Sequence, residues 1–559
     1  MRAVSGVRRG FDLTRRGFDS TRQGFRRQGF RRQVAVGLVL VALAGCTAEQ
    51  AAPEGEPSLR GVPTTLRVLA GSELADMAPV LEEAERATGV KVEFTFTGTL
   101  DGAQKVAEGK ADGAHDAVWF SSTKYLRSLP EARGRLGAEV QVMSSPVVLG
   151  LRQSAARELG WADGNVTWGG IAEAAGAGRF TFAMTDPAAS NTGFSALVAV
   201  ATALDGSGRA LDTGAIERVA GPVSGLFTGH RITAGSSDWL ADAFMKRAKG
   251  EDAGGPVDGL ITYEASLSSL NSGGELPEPL VPLYPSDGVV SADYPLAVLS
   301  GADERARDAH RRLADHLVRA EVQREIVAKT GRRPAVAGLD LPAGARSGLV
   351  EIPFPDSRAV VGALLDAYYD ELRRPSRTVY VLDVSGSMEG DRMAQLKRAL
   401  SRLTGSDESL TGQYCRFRSR EEVVLLPFNQ APLAPQEFSV DVGAPRETLE
   451  RIRGAVEGLV AGGDTAVYDS LERAYGVVGS SPERFTSVVL MTDGENRVGR
   501  TFAEYREFAR GKAVPVFPIV FGEASRAKMG EIAEITGGAV WDANSESLER
   551  AFCQIRGYQ

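Results

Sequence analysis

The chain has 559 residues, with 64 Lys and Arg against 72 Asp and Glu, a net charge of −8, 43% hydrophobic and 24% charged residues. That balance excludes a mainly disordered or collagen-like chain, and three cysteines exclude a disulfide-built framework. Residues 1–33 hold ten arginines and two aspartates, a net of +8, so the remainder carries −16. An acidic body of this kind argues against a nucleic-acid partner, which needs a basic face.

Residues 1–33 are an Arg-rich, low-complexity n-region in which Gly-Phe recurs, and they carry no identifiable chemistry. Residues 34–46 hold a twelve-residue uncharged apolar run, Val34 to Gly45, followed by Cys46. Twelve residues are too few to span a hydrocarbon core of about 30 Å. A basic start, a short apolar stretch and small residues at its end make a secretion signal. Leu43-Ala44-Gly45-Cys46 resembles the bacterial lipobox, which implies diacylation of Cys46 and a lipid anchor in the membrane. Residues 47–64, rich in Pro, Ala and Glu, read as a flexible tether.

From residue 65 to 345 strands alternate with helices: LRVLAG (66–71), a helix over 79–88 stopped by Gly89, VKVEFTF (90–96) and AVWF (117–120). Such alternation predicts a parallel α/β sheet with ligands at the carboxyl ends of its strands. Those ends are small and polar. Ser72, Thr99, Ser121, Ser122, Ser190, Asn191, Thr192 and Tyr263 are the candidate cleft residues, suited to a small polar or anionic solute; the hydroxyls serve equally well as helix caps. The segments VLAGSEL (68–74), DAVWFSS (116–122), SSPVVLGL (144–151), TDPAASNTGFSAL (185–197) and YPSDGVVSADYPLAVL (284–299) together resemble a bacterial extracellular solute-binding protein of the two-lobed, type II periplasmic-binding-protein kind. The resemblance implies two lobes joined by a hinge. Val147–Leu151 is the expected first crossing and Tyr294–Leu299 the expected return.

Residues 346–375 form a partly Pro-rich connector with one helix, and 376–559 a further domain. There the buried-strand sequence Thr378–Leu382 runs into Asp383-Val384-Ser385-Gly386-Ser387. A carboxylate and two hydroxyls at alternate positions of one loop can point to a single cation. Thr465, ahead of a helix, and Asp493, after the strand 487–492, supply matching oxygens at the same sheet edge. An all-oxygen set favours Mg²⁺, Mn²⁺ or Ca²⁺; the same Ser and Asp side chains also suit helix capping. The ordered set Asp383, Ser385, Ser387, Thr465 and Asp493 resembles the metal-ion-dependent adhesion site of the von Willebrand factor A domain. That likeness implies a doubly wound, Rossmann-like fold and a protein partner that offers an acidic residue to the metal. Cys415 and Cys553 lie in this domain and are either bridged or two buried free thiols.

The expected function is that of a membrane-anchored extracytoplasmic lipoprotein, not an enzyme. It engages a protein partner through a divalent metal and carries a solute-binding-like module for sensing or capture. An ABC-transporter-type solute receptor with an accessory domain is the alternative. A penicillin-recognising serine hydrolase is a third reading, because Ser121–Lys124 matches S-x-x-K and Lys329–Gly331 matches K-T-G. Against it, no S-D-N lies between them, and the K-T-G run ends a helix.

Overall fold

A computed structural model describes residues 63–251, 256–407, 410–479, 481, 483–522, 524–543 and 548–556. The Arg-rich segment, the apolar run with Cys46 and most of the tether lie outside the described residues. Strands β1 (Thr64–Ala70), β2 (Val90–Phe96), β3 (Ala117–Trp119) and β4 (Leu136–Gln141) build a first sheet. The chain then enters a second sheet of β5 (Met143–Arg152), β6 (Asn165–Val166), β7 (Phe182–Thr185), β8 (His230–Ala234), β9 (Gly259–Tyr263) and β10 (Leu280–Pro285), where β11 (Ser291–Ala292) also pairs with β5. It returns through β12 (Pro295–Leu299) to the first sheet, between β3 and β4, and β13 (Arg333–Pro334) pairs once more with β5. The result is the expected two-lobed α/β domain.

The first crossing between lobes sits earlier than expected, and the return includes the expected Tyr294 but is complete before Pro295. Val147–Leu151 pairs with β9 and β10 deep in the second sheet, and Pro295–Leu299 is already in the first. Both runs are apolar because a central strand is covered on both faces, not because they bend. The chain changes sheet at Val142, at Asp293–Tyr294 and at Gly331–Arg332, each a break of one or two residues between strands or between helix and strand. Tyr294 adopts a φ of 39°, which a bulky residue keeps only when its surroundings hold it. Its carbonyl accepts the Trp119 indole N–H at 3.0 Å, its amide donates to the Ser121 carbonyl at 3.0 Å, and the Arg332 guanidinium lies 4.8 Å over its ring.

The C-terminal domain is one sheet in the order β16-β15-β14-β17-β18-β19: β14 (Ser376–Asp383), β15 (Glu422–Phe428), β16 (Gln436–Ser439), β17 (Phe485–Thr492), β18 (Val516–Val520) and β19 (Trp541–Asp542). All pairings are parallel except β15 with β16. Alternation along the strands separates two cores. Tyr380, Leu382, Leu425, Val489 and Met491 face one helix layer, and Val379, Val381, Val424, Leu426, Val488 and Leu490 the other. This is the expected doubly wound architecture.

The two domains are joined by the helix Arg358–Ala367 and a wider turn, Tyr368–Leu372. Val361, Leu364, Leu365 and Tyr368 pack into the first domain's core. The polar side of the joint is a buried charge network. Arg373 and Arg556 both donate to Glu421, and Arg418 donates to Asp366 and Asp370 at 2.7 Å each. Glu421 is 1% exposed and is the shared counter-ion of two buried guanidinium groups. Removing one partner of such a buried set costs about 3–5 kcal/mol. Glu421→Ala is therefore expected to lower stability by that amount in urea unfolding followed by tryptophan fluorescence, while Glu437→Ala, at an exposed pair, changes it by less than about 1 kcal/mol.

Candidate metal centre and solute cleft

The metal candidate forms where β14 and β17 end side by side. Asp383, the last residue of β14, is fully buried. Its Oδ1 accepts the Ser385 amide at 2.8 Å and its Oδ2 the Thr492 hydroxyl at 2.6 Å. From Ser385 the oxygens continue in a chain: Ser385 Oγ lies 3.1 Å from Ser387 Oγ, and Ser387 Oγ donates to Asp493 Oδ1 at 2.8 Å. Asp493 Oδ2 takes Arg392 Nη1 at 2.5 Å. Burial pushes the Asp383 carboxyl up, the Ser385 and Thr492 hydrogen bonds oppose that, and the nearby Asp493 charge adds to it.

The loop bearing Thr465 is tied to this row through its backbone. Gly386 N–H donates to the Gly463 carbonyl at 2.9 Å and Gly462 N–H to the Val384 carbonyl at 2.8 Å. Asn429, just after β15, donates to the Gly462 carbonyl at 3.0 Å and accepts the Ala466 amide. Gly463 has a φ of 90°, a left-handed conformation that glycine adopts without strain. Thr465 is 3% exposed beside them. The structure thus links Asp383, Ser385, Ser387 and Asp493 in one hydrogen-bonded row and docks the Thr465 loop against it.

Among the described residues no three His, Cys, Asp or Glu side chains converge. The donors here are two carboxylates and neutral hydroxyls, a set that fits a hard divalent ion. Two contributors escaped the sequence reading. Thr492 adjoins Asp493 at the strand end and was passed over as a strand residue. Arg392, in the first turn of the following helix, reaches back to Asp493 by a contact that no spacing rule announces.

The second site is a cleft of about 630 Å³ in the first domain. It is lined by Ser72, Thr99, Ser121, Ser190, Asn191, Thr192 and Tyr263. Ser122 departs from expectation: its Oγ accepts the Lys124 amide at 3.2 Å, a local turn bond that holds it off the cleft. Thr99 Oγ1 lies 3.0 Å from Ser121 Oγ, Asn191 donates to the Tyr263 hydroxyl at 2.8 Å, and Thr192 Oγ1 lies 3.2 Å from Ser237 Oγ. The helices Thr99–Ala107 and Asn191–Asp205 begin here with no side-chain cap on either first turn. Their leading N–H groups face the same space as the hydroxyls.

Sequence reasoning missed the cleft's carboxylates and its far wall. Burial pushes Glu73 up, opposed by the Arg332 charge and a Ser121 hydrogen bond, and burial pushes Asp186 up as well. Asp186 Oδ1 accepts the Tyr369 hydroxyl at 2.6 Å. Tyr369, Tyr414, Trp541, Gln554 and Arg556 form the opposite side, so the connector and the C-terminal domain complete the cleft. Cys415 and Cys553 line it too and are joined as a disulfide, Cα atoms 5.0 Å apart. The S-x-x-K and K-T-G elements do not combine. Lys124 binds the Ser291 carbonyl and Glu351, while Lys329 binds Glu83 and Glu325.

Residues 66–333 match the family of bacterial extracellular solute-binding proteins, and residues 378–495 match the von Willebrand factor type A domain. The chain therefore carries a solute-binding domain followed by a von Willebrand factor A domain. Among solved structures it is similar to the periplasmic binding protein AfuA from Actinobacillus pleuropneumoniae with exogenous fructose-6-phosphate bound, at 14% identity over 56% of this chain and 99% of that one, TM-score 0.43. It is similar to iron-bound HitA from Pseudomonas aeruginosa, at 16% identity over 55% and 97%, TM-score 0.41. It is also similar to a von Willebrand factor type A protein from Catenulispora acidiphila, at 18% identity over 34% and 43%, TM-score 0.28. Inter-alpha-trypsin inhibitor heavy chain H3 of Homo sapiens and of Pongo abelii is 30% identical over 159 residues, 26% of this chain. The chain spans 16% and 17% of those two relatives.

The Arg392 contact has a measurable consequence. A guanidinium on Asp493 competes electrostatically with any cation that shares that carboxylate. Arg392→Gln is expected to tighten Mn²⁺ binding by about three- to tenfold in isothermal calorimetry; unchanged or weaker affinity would show that Arg392 positions Asp493 without opposing the ion.

Proposed function

We propose that this chain is an extracytoplasmic, lipid-anchored binding protein whose von Willebrand factor A domain docks a protein partner through a divalent ion. In this reading it is not an enzyme. Asp383, Ser385, Ser387, Thr465 and Asp493 are the residues that would hold Mg²⁺, Mn²⁺ or Ca²⁺. The observation that carries the reading is the hydrogen-bonded row from the Thr492 hydroxyl to Asp383, from Asp383 through the Ser385 amide to Ser385, and on through the Ser385 and Ser387 hydroxyls to Asp493. When bound, the ion supplies a coordination position that an acidic side chain of the partner completes. The chain's own part is to set the charge: two carboxylates, one already paired with Arg392, and neutral hydroxyls leave the site attractive to an anion. The likeness to inter-alpha-trypsin inhibitor heavy chains supports a protein-interaction module.

The solute-binding domain would take a small polar or anionic solute between Thr99, Ser121, Asn191 and Tyr263. Placement outside the cytoplasm is supported by the match to extracellular solute-binding proteins. Anchoring would rest on Cys46, and no described helix is long and apolar enough to cross a membrane.

Two measurements test this reading. Mn²⁺ or Mg²⁺ should raise the melting temperature of the full chain, by the equivalent of about 2.7 kcal/mol at a hundredfold excess over Kd, and Asp383→Ala should abolish that response. A parent protein whose melting ignores both metals contradicts the metal site. Separately, Cys46→Ser should shift the protein from the membrane fraction to the medium; retention on membranes of the serine variant would rule out lipidation at this residue.

A further inference from the structure

The solute cleft holds an uneven set of charges. Its described lining residues include three acids, Glu73, Asp101 and Asp186, and two bases, Lys105 and Arg556. Both bases are already answered: Lys105 pairs with Asp101 and Arg556 with Glu421, each at 2.8 Å. Glu73 and Asp186 have no ion pair among the described residues. The guanidinium charges that act on them are bonded to other carboxylates. Arg332 donates to Asp76 at 2.8 and 2.6 Å and reaches only the main-chain carbonyl of Glu73, at 2.9 Å, while Arg373 donates to Glu421. Asp186 is 1% exposed, and its Oδ2 has no hydrogen-bond partner among the described residues. Acceptors in this state call for a donor. Burial pushes both carboxyls up, and a cation beside them would oppose that shift.

Negative charge has a separate place in the same cleft. The helices Thr99–Ala107 and Asn191–Asp205 both begin at its surface, and neither first turn is capped by a side chain, although Ser190 stands at the cap position of the second. The two lobes meet at these ends: a Cβ at Gly98 would lie 2.8 Å from the Ala189 carbonyl, so both helix N-termini border one small volume. Hydroxyls, which donate and accept, connect the two poles. Ser121 hydrogen-bonds to Glu73, and its Oγ lies 3.0 Å from Thr99 Oγ1 at the start of the first helix. On the other lobe Asn191, at the start of the second helix, donates to the Tyr263 hydroxyl at 2.8 Å, and the Glu73 charge acts on that hydroxyl too. At about 630 Å³ the cleft has room for an organic solute rather than a bare oxyanion.

We propose that the cleft takes a zwitterion of the α-amino-acid kind, with its ammonium group on the Glu73 carboxylate and its carboxylate at the N-termini of the two helices. This rests on the reading of the cleft as a solute site and names the class of solute. A fully ionised oxyanion would be repelled by Glu73 and Asp186, and a neutral polyol would leave the positive helix ends without a counter-charge. An amino acid carries both groups on one carbon, which matches a Glu73 carboxylate and a Thr99 helix end separated by the single Ser121 hydroxyl.

The probes are the standard L-amino acids, added one at a time to the full chain, with thermal melting as the first readout and calorimetry for any that respond. Sulfate, phosphate and glucose are the comparators. At least one amino acid is expected to raise the melting temperature and to bind saturably. Its deaminated and its decarboxylated analogues should each bind the unaltered chain at least about tenfold more weakly, and Glu73→Gln should weaken binding of the amino acid itself about ten- to hundredfold. Because the analogues are tested on the parent protein, a poorly folding Glu73→Gln does not remove the test. Equal affinity for the amino acid and its deaminated analogue, or equal affinity in parent and variant, overturns the proposal. Saturable binding of sulfate, phosphate or glucose, with no response to any amino acid, overturns the class of solute while the cleft keeps its role. Silence of every probe overturns the proposal and counts against the cleft as a solute site.

Discussion

Burial of the Asp383 carboxylate at the end of the central strand is the constraint from which the C-terminal site follows. A carboxylate with no exposure must be satisfied on both oxygens, and here one is met by the Ser385 amide and the other by the Thr492 hydroxyl. The first bond folds the chain sharply after β14, which brings Ser385 and Ser387 into line. The second ties β14 to the end of β17, which brings Asp493 alongside. The loop carrying Thr465 is then held by backbone bonds, with a left-handed glycine at 463. One buried charge thereby orders three segments that are far apart in the sequence.

Much of this was legible in the residues themselves. The run Thr378–Leu382 is apolar on both faces because helices cover both sides of a parallel sheet, and a polar Asp-x-Ser-x-Ser directly after it has nowhere to go but the sheet's edge. What was not legible depends on distant packing. Arg392 belongs to a helix whose sequence gives no sign of reaching Asp493. Ser122 looks like its neighbour Ser121, yet only the latter faces the cleft, because the turn into the next helix uses the Ser122 hydroxyl for itself. The first crossing was misplaced, and the return drawn too long, for a related reason. The real breaks, at Val142, Asp293–Tyr294 and Gly331–Arg332, are one or two residues long, too short to leave a compositional trace.

The joint between domains was also hidden from the sequence, since its members are scattered from Asp366 to Arg556. Guanidinium groups from the connector, the Arg418–Arg420 turn and the last helix meet around a single buried glutamate and two aspartates. Such a network adds little net stability compared with an apolar surface, while removing any one partner leaves a buried charge uncompensated. It lies between the connector and the C-terminal domain.

The solute cleft has walls from two domains. Asp186 lies on the cleft surface and holds the Tyr369 hydroxyl. The Tyr369 ring in turn lies beneath Arg373 and Arg418, at 4.8 and 5.4 Å, and these arginines lead to Glu421 and the acidic connector residues. Arg556, which closes the charge network, lines the same cleft from the other side. The cleft and the joint are thus built from one continuous set of contacts. A solute-binding lobe that met solvent alone would owe its shape to its own two sheets; here the connector and the von Willebrand factor A domain line the cleft as well.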